Sequence, residues 1–496
     1  MDTTLRDGEQ TSGVSFSVSE KLSMARLLIE ELNVDRIEIA SARVSQGEMA
    51  AVDKVMEWAA RRGHLDRVEV LGFIDKGVSL GWINKCGGRV VNMLTKGSEK
   101  HCKYQLNKTP EQHFEDIRTE IALAQGMGIK VNIYLEDWSN GMLHSPGYVW
   151  AMLDALRDAP IERIMLPDTL GIFNPEQAFE CCRAVVEKYP NKRFDFHAHN
   201  DYDLSVANSL AALRAGVGAL HTTVNGLGER AGNAPLSSVL AVINDHTDLT
   251  TNLDESKLSY VSSVVESYSG VRIPANKPVI GENVFTQCAG IHADGDNKHN
   301  LYYNDLLPER FGRTRSYALG KTSGKANIRK NLEMLGIELD DGAMGELTQY
   351  IIGLGDKKEV VTSDDLPYII SDLFGEQGHQ RVRILNYSLN LAQGLKPVAT
   401  LKIEIDGELH EQTSTGDGQY DAFVSALRTI YLKQLGRDFP TLTDYSVSIP
   451  PGGRTDAFVQ TAITWNFDGR VFKTKGLDVD QTEAAIKATI KMLNKI

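Results

Sequence analysis

The sequence predicts an α/β protein: a (β/α)8 TIM barrel, then helical linker subdomains, then a C-terminal α+β domain of two ββα halves. Three observations carry this. Strand-like and helix-like runs alternate from residue 1 to about 245 and make eight β/α units. Polar residues suited to chemistry fall at the carboxyl ends of those strands, where such barrels keep their active sites. Beyond residue 378 the pattern changes to antiparallel-type alternation, and its order of elements repeats once. The expected segments are 1–250, 251–377 and 378–496, in line with the roughly three domains that 496 residues suggest.

The opening run ends in Arg6-Asp7-Gly8, a strand leaving for a polar loop. Because Met1 stands only a few residues before Arg6, this first strand is expected either to be shorter than its neighbours or to begin upstream. Ser17 and Glu20 form a capping box, and Leu22, Ala25, Leu28, Ile29 and Leu32 make one apolar helical stripe. Strands are predicted at 34–40, 68–73, 90–94, 130–134, 163–166, 193–197 and 219–224, with helices between them. No GxGxxG follows the first strand, which weighs against a dinucleotide fold. Residues 251–377 read as a helix around Tyr260 to Tyr268, a loop-rich stretch with Pro274, Pro278 and Gly281, and short helices with a charged run, Asp356-Lys357-Lys358-Glu359. Gly375 to Gln380 reads as a hinge. The C-terminal segment has strands predicted at 381–391, 398–405, 445–449 and 458–467, and helices at 419–435 and after Asp480, where Glu483 completes a capping box.

A net charge of −13 argues against nucleic acid or an anionic membrane as partner. No apolar run has the length of a membrane span, and the first ten residues are too polar for a signal peptide, so a cytoplasmic location is expected. Five cysteines, an odd number without metal-type spacing, fit a reducing compartment.

The chemistry converges on two stretches. In His197-Ala198-His199 both imidazoles face one side of a strand, with Phe194 and Phe196 on the other. With the Asp7 oxygen they make an open, three-ligand metal site of catalytic type, and Asn225 on the neighbouring strand is a fourth candidate. Arg6 offers a rigid cationic fork for a substrate oxygen; a surface ion pair with Asp7 is the plain alternative. Glu136 alternates inward with Asn132 and Tyr134, as a general base or as half of a structural ion pair. Asp168 and Thr169 reach the same mouth. The glycines of Gly226 to Asn233 suit either close backbone approach to a ligand or a tight turn. His292 and Tyr302 lie outside the barrel, on a segment that can cover it.

On Leu5 to Gln10, His197 to Asp201, Asn225 to Asn233, the His292 and Tyr302 segment, and Gly453-Arg454-Thr455-Asp456-Ala457, the whole chain resembles the acetyl-CoA-dependent isopropylmalate, citramalate and homocitrate synthases. The resemblance implies that Asp7, His197 and His199 hold a divalent metal (Mn2+, Mg2+ or Zn2+) with Asn225 close by, and that Arg6 and Glu136 act on the condensation of acetyl-CoA with a 2-oxo acid. It also implies a homodimer, in which His292 and Tyr302 complete the neighbouring subunit's site, and a C-terminal domain that binds an inhibitory amino acid, isoleucine or leucine. The substrate pocket is expected to be lined by Leu71, Leu94, Tyr134 and Thr169. Isopropylmalate synthases tend to carry smaller or more polar groups at the positions of Leu94 and Tyr134. The bulk here, with Tyr134 to Gly141 and His199 to Asp203, resembles the citramalate pattern, in which a small apolar pocket selects pyruvate. Isopropylmalate synthesis from 2-oxoisovalerate is the alternative. Homocitrate synthesis is less favoured because no pocket cation awaits a second carboxylate. A barrel reduced to amino-acid sensing conflicts with the complete set of metal and base residues, and a metal-dependent lyase of acyl-CoA would lack the end-product domain.

Overall fold

The computed structural model describes residues 1–288, 292, 294–295, 301–356, 361, 363–374, 381–448 and 459–495. The expected hinge at Gly375 to Gln380, the Gly453 to Ala457 motif and most of the charged run after Asp356 lie outside them. The chain forms two units, Met1–Thr286 with Tyr303–Arg315, and Gln287–Tyr302 with Ser316–Ile496.

In the first unit seven strands pair in chain order: β1 (Ile37–Ser41), β2 (Val68–Phe73), β3 (Val90–Lys96), β4 (Lys130–Glu136), β5 (Arg163–Asp168), β6 (Phe194–Ala198) and β7 (Ala219–His221). Every pairing is parallel. The eighth stave, expected as a short opening strand, is reduced to a bridge. Asp2 pairs with both Ile37 and Thr222, so the residue closes the ring between β1 and the end of β7. Its N–H donates to Arg36 O at 2.9 Å, and Thr3 N–H donates to Thr222 O at 2.8 Å. The chain then turns at once, because the N–H groups of Arg6, Asp7 and Gly8 all donate to Thr3 O. That turn brings Arg6 and Asp7 to the mouth.

The last strand is shorter than expected and ends at His221. Asn225 therefore sits not on the strand but in the turn Val224–Gly226, with a φ of 61°, a conformation that Asn tolerates better than most residues. Helices cover the outside of the wall. Ser45, Thr109 and Asn174 each cap one, accepting the N–H three residues on. Phe194 and Phe196 are buried in this outer core, as the alternation of β6 requires.

In the second unit, helices Lys325–Leu335, Asp341–Asp356 and Leu366–Phe374 share a small apolar core with Leu319 and Val361. The helix Asp341–Asp356 is longer than the short helices expected there. The C-terminal part departs from two ββα halves by one strand in each. Val382–Asn390, Val398–Ile405 and Glu408–Thr415 form one antiparallel sheet, and Thr441–Ser448, Val459–Phe467 and Arg470–Asp478 form the other. The added strands are polar, as in Glu408 to Thr415, and so lack an apolar run to announce them. Each is reached through an Asp-Gly turn, Asp406-Gly407 and Asp468-Gly469, with both residues at positive φ as a two-residue hairpin of type I′ demands. One core joins the helices Gln419–Thr429 and Gln481–Leu493 to these sheets through Leu401, Ile403, Phe423, Leu427, Trp465 and Ile486. No helix among the described residues is long and apolar enough to cross a membrane.

Candidate active site

Three of the four proposed ligands meet at the barrel mouth. Asp7 Oδ2 lies 3.2 Å from His197 Nε2 and 3.9 Å from His199 Nε2, and all three side chains are buried. Burial pushes the Asp7 carboxyl up, but the Arg6 guanidinium and the two imidazoles outweigh it and hold it well below the usual carboxylate range. Burial, aided by His197, pushes His199 down to about 4, so its imidazole is neutral and free to ligate near pH 7. Asp7 Oδ1, His197 Nδ1, His199 Nδ1 and Asn225 Oδ1 are buried without a hydrogen-bond partner. Buried polar atoms left unpaired cost about 1–3 kcal/mol each, so a cluster of them suits a bound ion. One hard oxygen with two imidazole nitrogens fits a divalent metal. Asn225 Nδ2 donates to Ser262 O at 2.9 Å.

Arg6 is held in place rather than free. Its Nε donates to Glu38 Oε2 at 2.5 Å, one Nη lies 3.4 Å from Asp7 Oδ2, and the other lies 3.5 Å from the Tyr134 hydroxyl. The pair with Asp7 thus exists, but as a buried one. Beneath it the barrel interior is polar. Asn92 donates to Glu38 at 2.7 Å and Asn132 to Asn92 at 2.9 Å, while Arg36 pairs with Glu69 at 2.9 Å and with Asp195. Reading the sequence for the mouth alone passes over Glu38, Asn92, Asp195 and His221. Their signal was present: charged or amide residues at alternate positions within otherwise apolar strands, as in Arg36-Ile37-Glu38-Ile39, mark an interior face.

Glu136 ends β4 and forms an ion pair with Lys96 at the end of β3, a partner the sequence did not single out. Gly97 lets these two strand ends approach, and Gly141, on the helix Trp138–His144, lets that helix approach Gly97. A Cβ on Gly97 would fall 2.3 Å from Leu135 O, and one on Gly141 would fall 2.0 Å from Gly97 O. Thr169 Oγ1 accepts the Asp137 N–H at 2.9 Å. A cleft of about 250 Å3 is lined by Arg6, Asp7, Leu71, Phe73, Leu94, Tyr134, Glu136, Thr169, His197 and His199, among others. Arg6 is the one Lys or Arg among the described lining residues. Gly226 to Asn233 forms a tight turn: a Cβ on Gly232 would lie 1.9 Å from Gly226 O, and Asn233 Nδ2 donates to Leu227 O at 3.0 Å. Glu229 from that turn joins the cleft. His292 and Tyr302 belong to the second unit, where their ring centroids lie 4.3 Å apart.

Three families match successive parts of the chain: HMGL-like over residues 1–265, homocitrate synthase post-HMGL domain-like over 279–359, and the LeuA allosteric (dimerisation) domain over 360–496. Similar proteins include a putative (R)-citramalate synthase of Methanopyrus kandleri, 36% identical over 93% of this chain and 89% of its own length. A probable 2-isopropylmalate synthase of the same organism is 34% identical over 100% of this chain and 97% of its own. The (R)-citramalate synthase of Methanocaldococcus jannaschii is 28% identical over 100% and 98%.

Proposed function

The chain belongs to the HMGL-like family, among its acetyl-CoA-using citramalate and isopropylmalate synthases, and from that premise we propose that it condenses acetyl-CoA with pyruvate to give (R)-citramalate and CoA. The observation that carries the choice of substrate is the cleft wall. Leu71, Phe73, Leu94 and Tyr134 crowd the space beside Asp7 and the two histidines, which suits the methyl group of pyruvate and disfavours a branched chain. Among the described residues the lining offers no second cation for an extra carboxylate, which speaks against homocitrate synthesis. Synthesis of 2-isopropylmalate from 2-oxoisovalerate stands as the second reading, favoured by relatives of that name at nearly equal identity.

In this reading Asp7, His197 and His199, with Asn225 adjoining, hold a divalent metal that supplies Lewis acidity to the keto group. Arg6, held rigidly by Glu38, stabilises the negative charge that develops on the keto oxygen. Thr169 orients the carboxylate of the 2-oxo acid. Glu136, directly or through His292 and Tyr302 of a neighbouring subunit, takes the methyl proton of acetyl-CoA. The carbanion attacks the keto carbon, and water then hydrolyses the thioester to release CoA. We assign residues 1–250 to catalysis, 251–377 to linker subdomains that contribute to the site, and 378–496 to binding of isoleucine or leucine in a cytoplasmic homodimer.

The test is release of CoA thiol from acetyl-CoA with pyruvate, and separately with 2-oxoisovalerate, with Mn2+ and after chelation. Faster turnover with pyruvate, lost on chelation, is expected. Preference for 2-oxoisovalerate would overturn the reading of the pocket, and no turnover with either would overturn the reaction.

A further inference from the structure

A line of hydrogen bonds descends from the pocket wall into the barrel floor. The Tyr134 hydroxyl lies 3.0 Å from His221 Nδ1, and His221 Nε2 lies 3.3 Å from Asp195 Oδ2. Asp195 is paired with Arg36 and, at 3.1 Å, with Arg163. None of these three side chains belongs to the metal cluster or to the base. Asp195 and His221 are fully buried, and Tyr134 is 3% exposed. The chemistry of the line is fixed from its lower end. Two arginines keep Asp195 an ionised acceptor, so His221 carries its proton on Nε2. Nδ1 is then a bare acceptor, and the Tyr134 O–H donates to it. The ring of Tyr134 is also gripped edge-on by His197 and His221, with centroids at 6.1 and 5.6 Å.

We propose that His221 and Asp195 are positioning residues for substrate choice: they hold the Tyr134 ring across the 2-oxo acid pocket, so that its depth is set from the barrel floor. The inference rests on the pocket being that of a 2-oxo acid. Its physical basis is that Tyr134 is a wall only while it cannot swing. A buried hydroxyl with its single acceptor removed must find another partner or take in water, and either course moves the ring. Arg6 follows, since its guanidinium meets the same hydroxyl at 3.5 Å.

Tyr134→Phe, His221→Phe and the double variant test this. For each, the Kd values of pyruvate and 2-oxoisovalerate are measured by titration calorimetry with Mn2+ and no acetyl-CoA, and kcat and KM by thiol release. Each single variant is expected to lower the preference for pyruvate by about tenfold, the scale of one methylene in a pocket, chiefly through tighter 2-oxoisovalerate binding. The double variant is expected to match the singles, because both remove the same bond. An unchanged ratio in Tyr134→Phe, which loses one oxygen and keeps the ring, overturns the inference even if His221→Phe fails to fold. Effects that multiply in the double variant, or equal losses for both substrates, overturn it as well. Binding of 2-oxo acids without thiol release would sink the proposed reaction while leaving the Kd ratios to judge this inference. Absence of 2-oxo acid binding would sink both.

Discussion

The barrel interior and the C-terminal core bury opposite kinds of side chain. Inside the barrel lie Arg36, Glu38, Glu69, Asp195 and His221, linked to one another and to Arg6. From residue 381 on, the buried polar residues among those described are the threonines Thr461, Thr474 and Thr489, and the core is Leu401, Ile403, Phe423, Leu427 and Trp465. Burying an ion costs several kcal/mol unless partners offset it. A chain that does so repeatedly in one place, and avoids it in another, has given up stability there for chemistry. In the C-terminal part burial serves cohesion.

If that division holds, changes at the barrel mouth act on rate and changes in the C-terminal core act on stability. Glu136→Gln should have the largest effect, lowering kcat with pyruvate by up to about ten-thousandfold while the thermal midpoint barely moves. A loss below about tenfold in thiol release would mean that the ion pair with Lys96 is structural. Asp7→Asn should lower kcat/KM by about a thousandfold, the equivalent of several kcal/mol of Lewis-acid stabilisation, and calorimetry should register loss of Mn2+ binding. In the other region, Trp465→Ala should cost about 3–5 kcal/mol in urea unfolding, because the indole is fully buried and its Nε1 donates to Thr474. Turnover below the unfolding transition should be unchanged. If turnover collapsed with stability intact, the division would be wrong.

Acid should also distinguish the regions. Burial pushes His221 down to about 3, and burial with Lys108 pushes His113 down to about 4, so the folded barrel keeps both neutral. The unfolded chain binds their protons near 6.5, and the stability this lends is lost as the pH falls below that value. Asp2 opposes them. Burial raises it to about 6, so its contribution is present at pH 5 and disappears as the pH rises through 6. With His199, also pushed down to about 4, the balance is about 4 kcal/mol less stability at pH 5 than at pH 7, read by urea melts of the chelated protein, and it should fall on the barrel transition. The smallest effect belongs to Asp480→Ala. Removing this cap, which accepts the N–H groups of Thr482 and Glu483, should cost the C-terminal helix about 1 kcal/mol.

Much of the framework was legible locally. The capping box of Ser17 and Glu20 forms as the sequence suggests. The strand at Val398–Ile405 has the expected bounds, and His197 and His199 converge on Asp7 as a period of two requires. The third strands of the C-terminal sheets escaped because they are polar, although their Asp-Gly turns were visible. Asn225 was singled out but placed on the strand rather than in the turn after it, because a strand end and a turn look alike when the run is only three residues long.

The sequence by itself determined what depends on near neighbours along the chain: the alternation of strands and helices, the faces of β6, the helix caps and the residue types at each strand end. Only the tertiary structure decided which of those residues meet. Lys96 finds Glu136, Arg6 finds Glu38, and Tyr134 finds His221 through pairings between residues 32 to 87 positions apart, on strands brought together by barrel closure. Such pairings depend on register and on the closing bridge at Asp2, which follow from the packing of the whole ring rather than from any one segment.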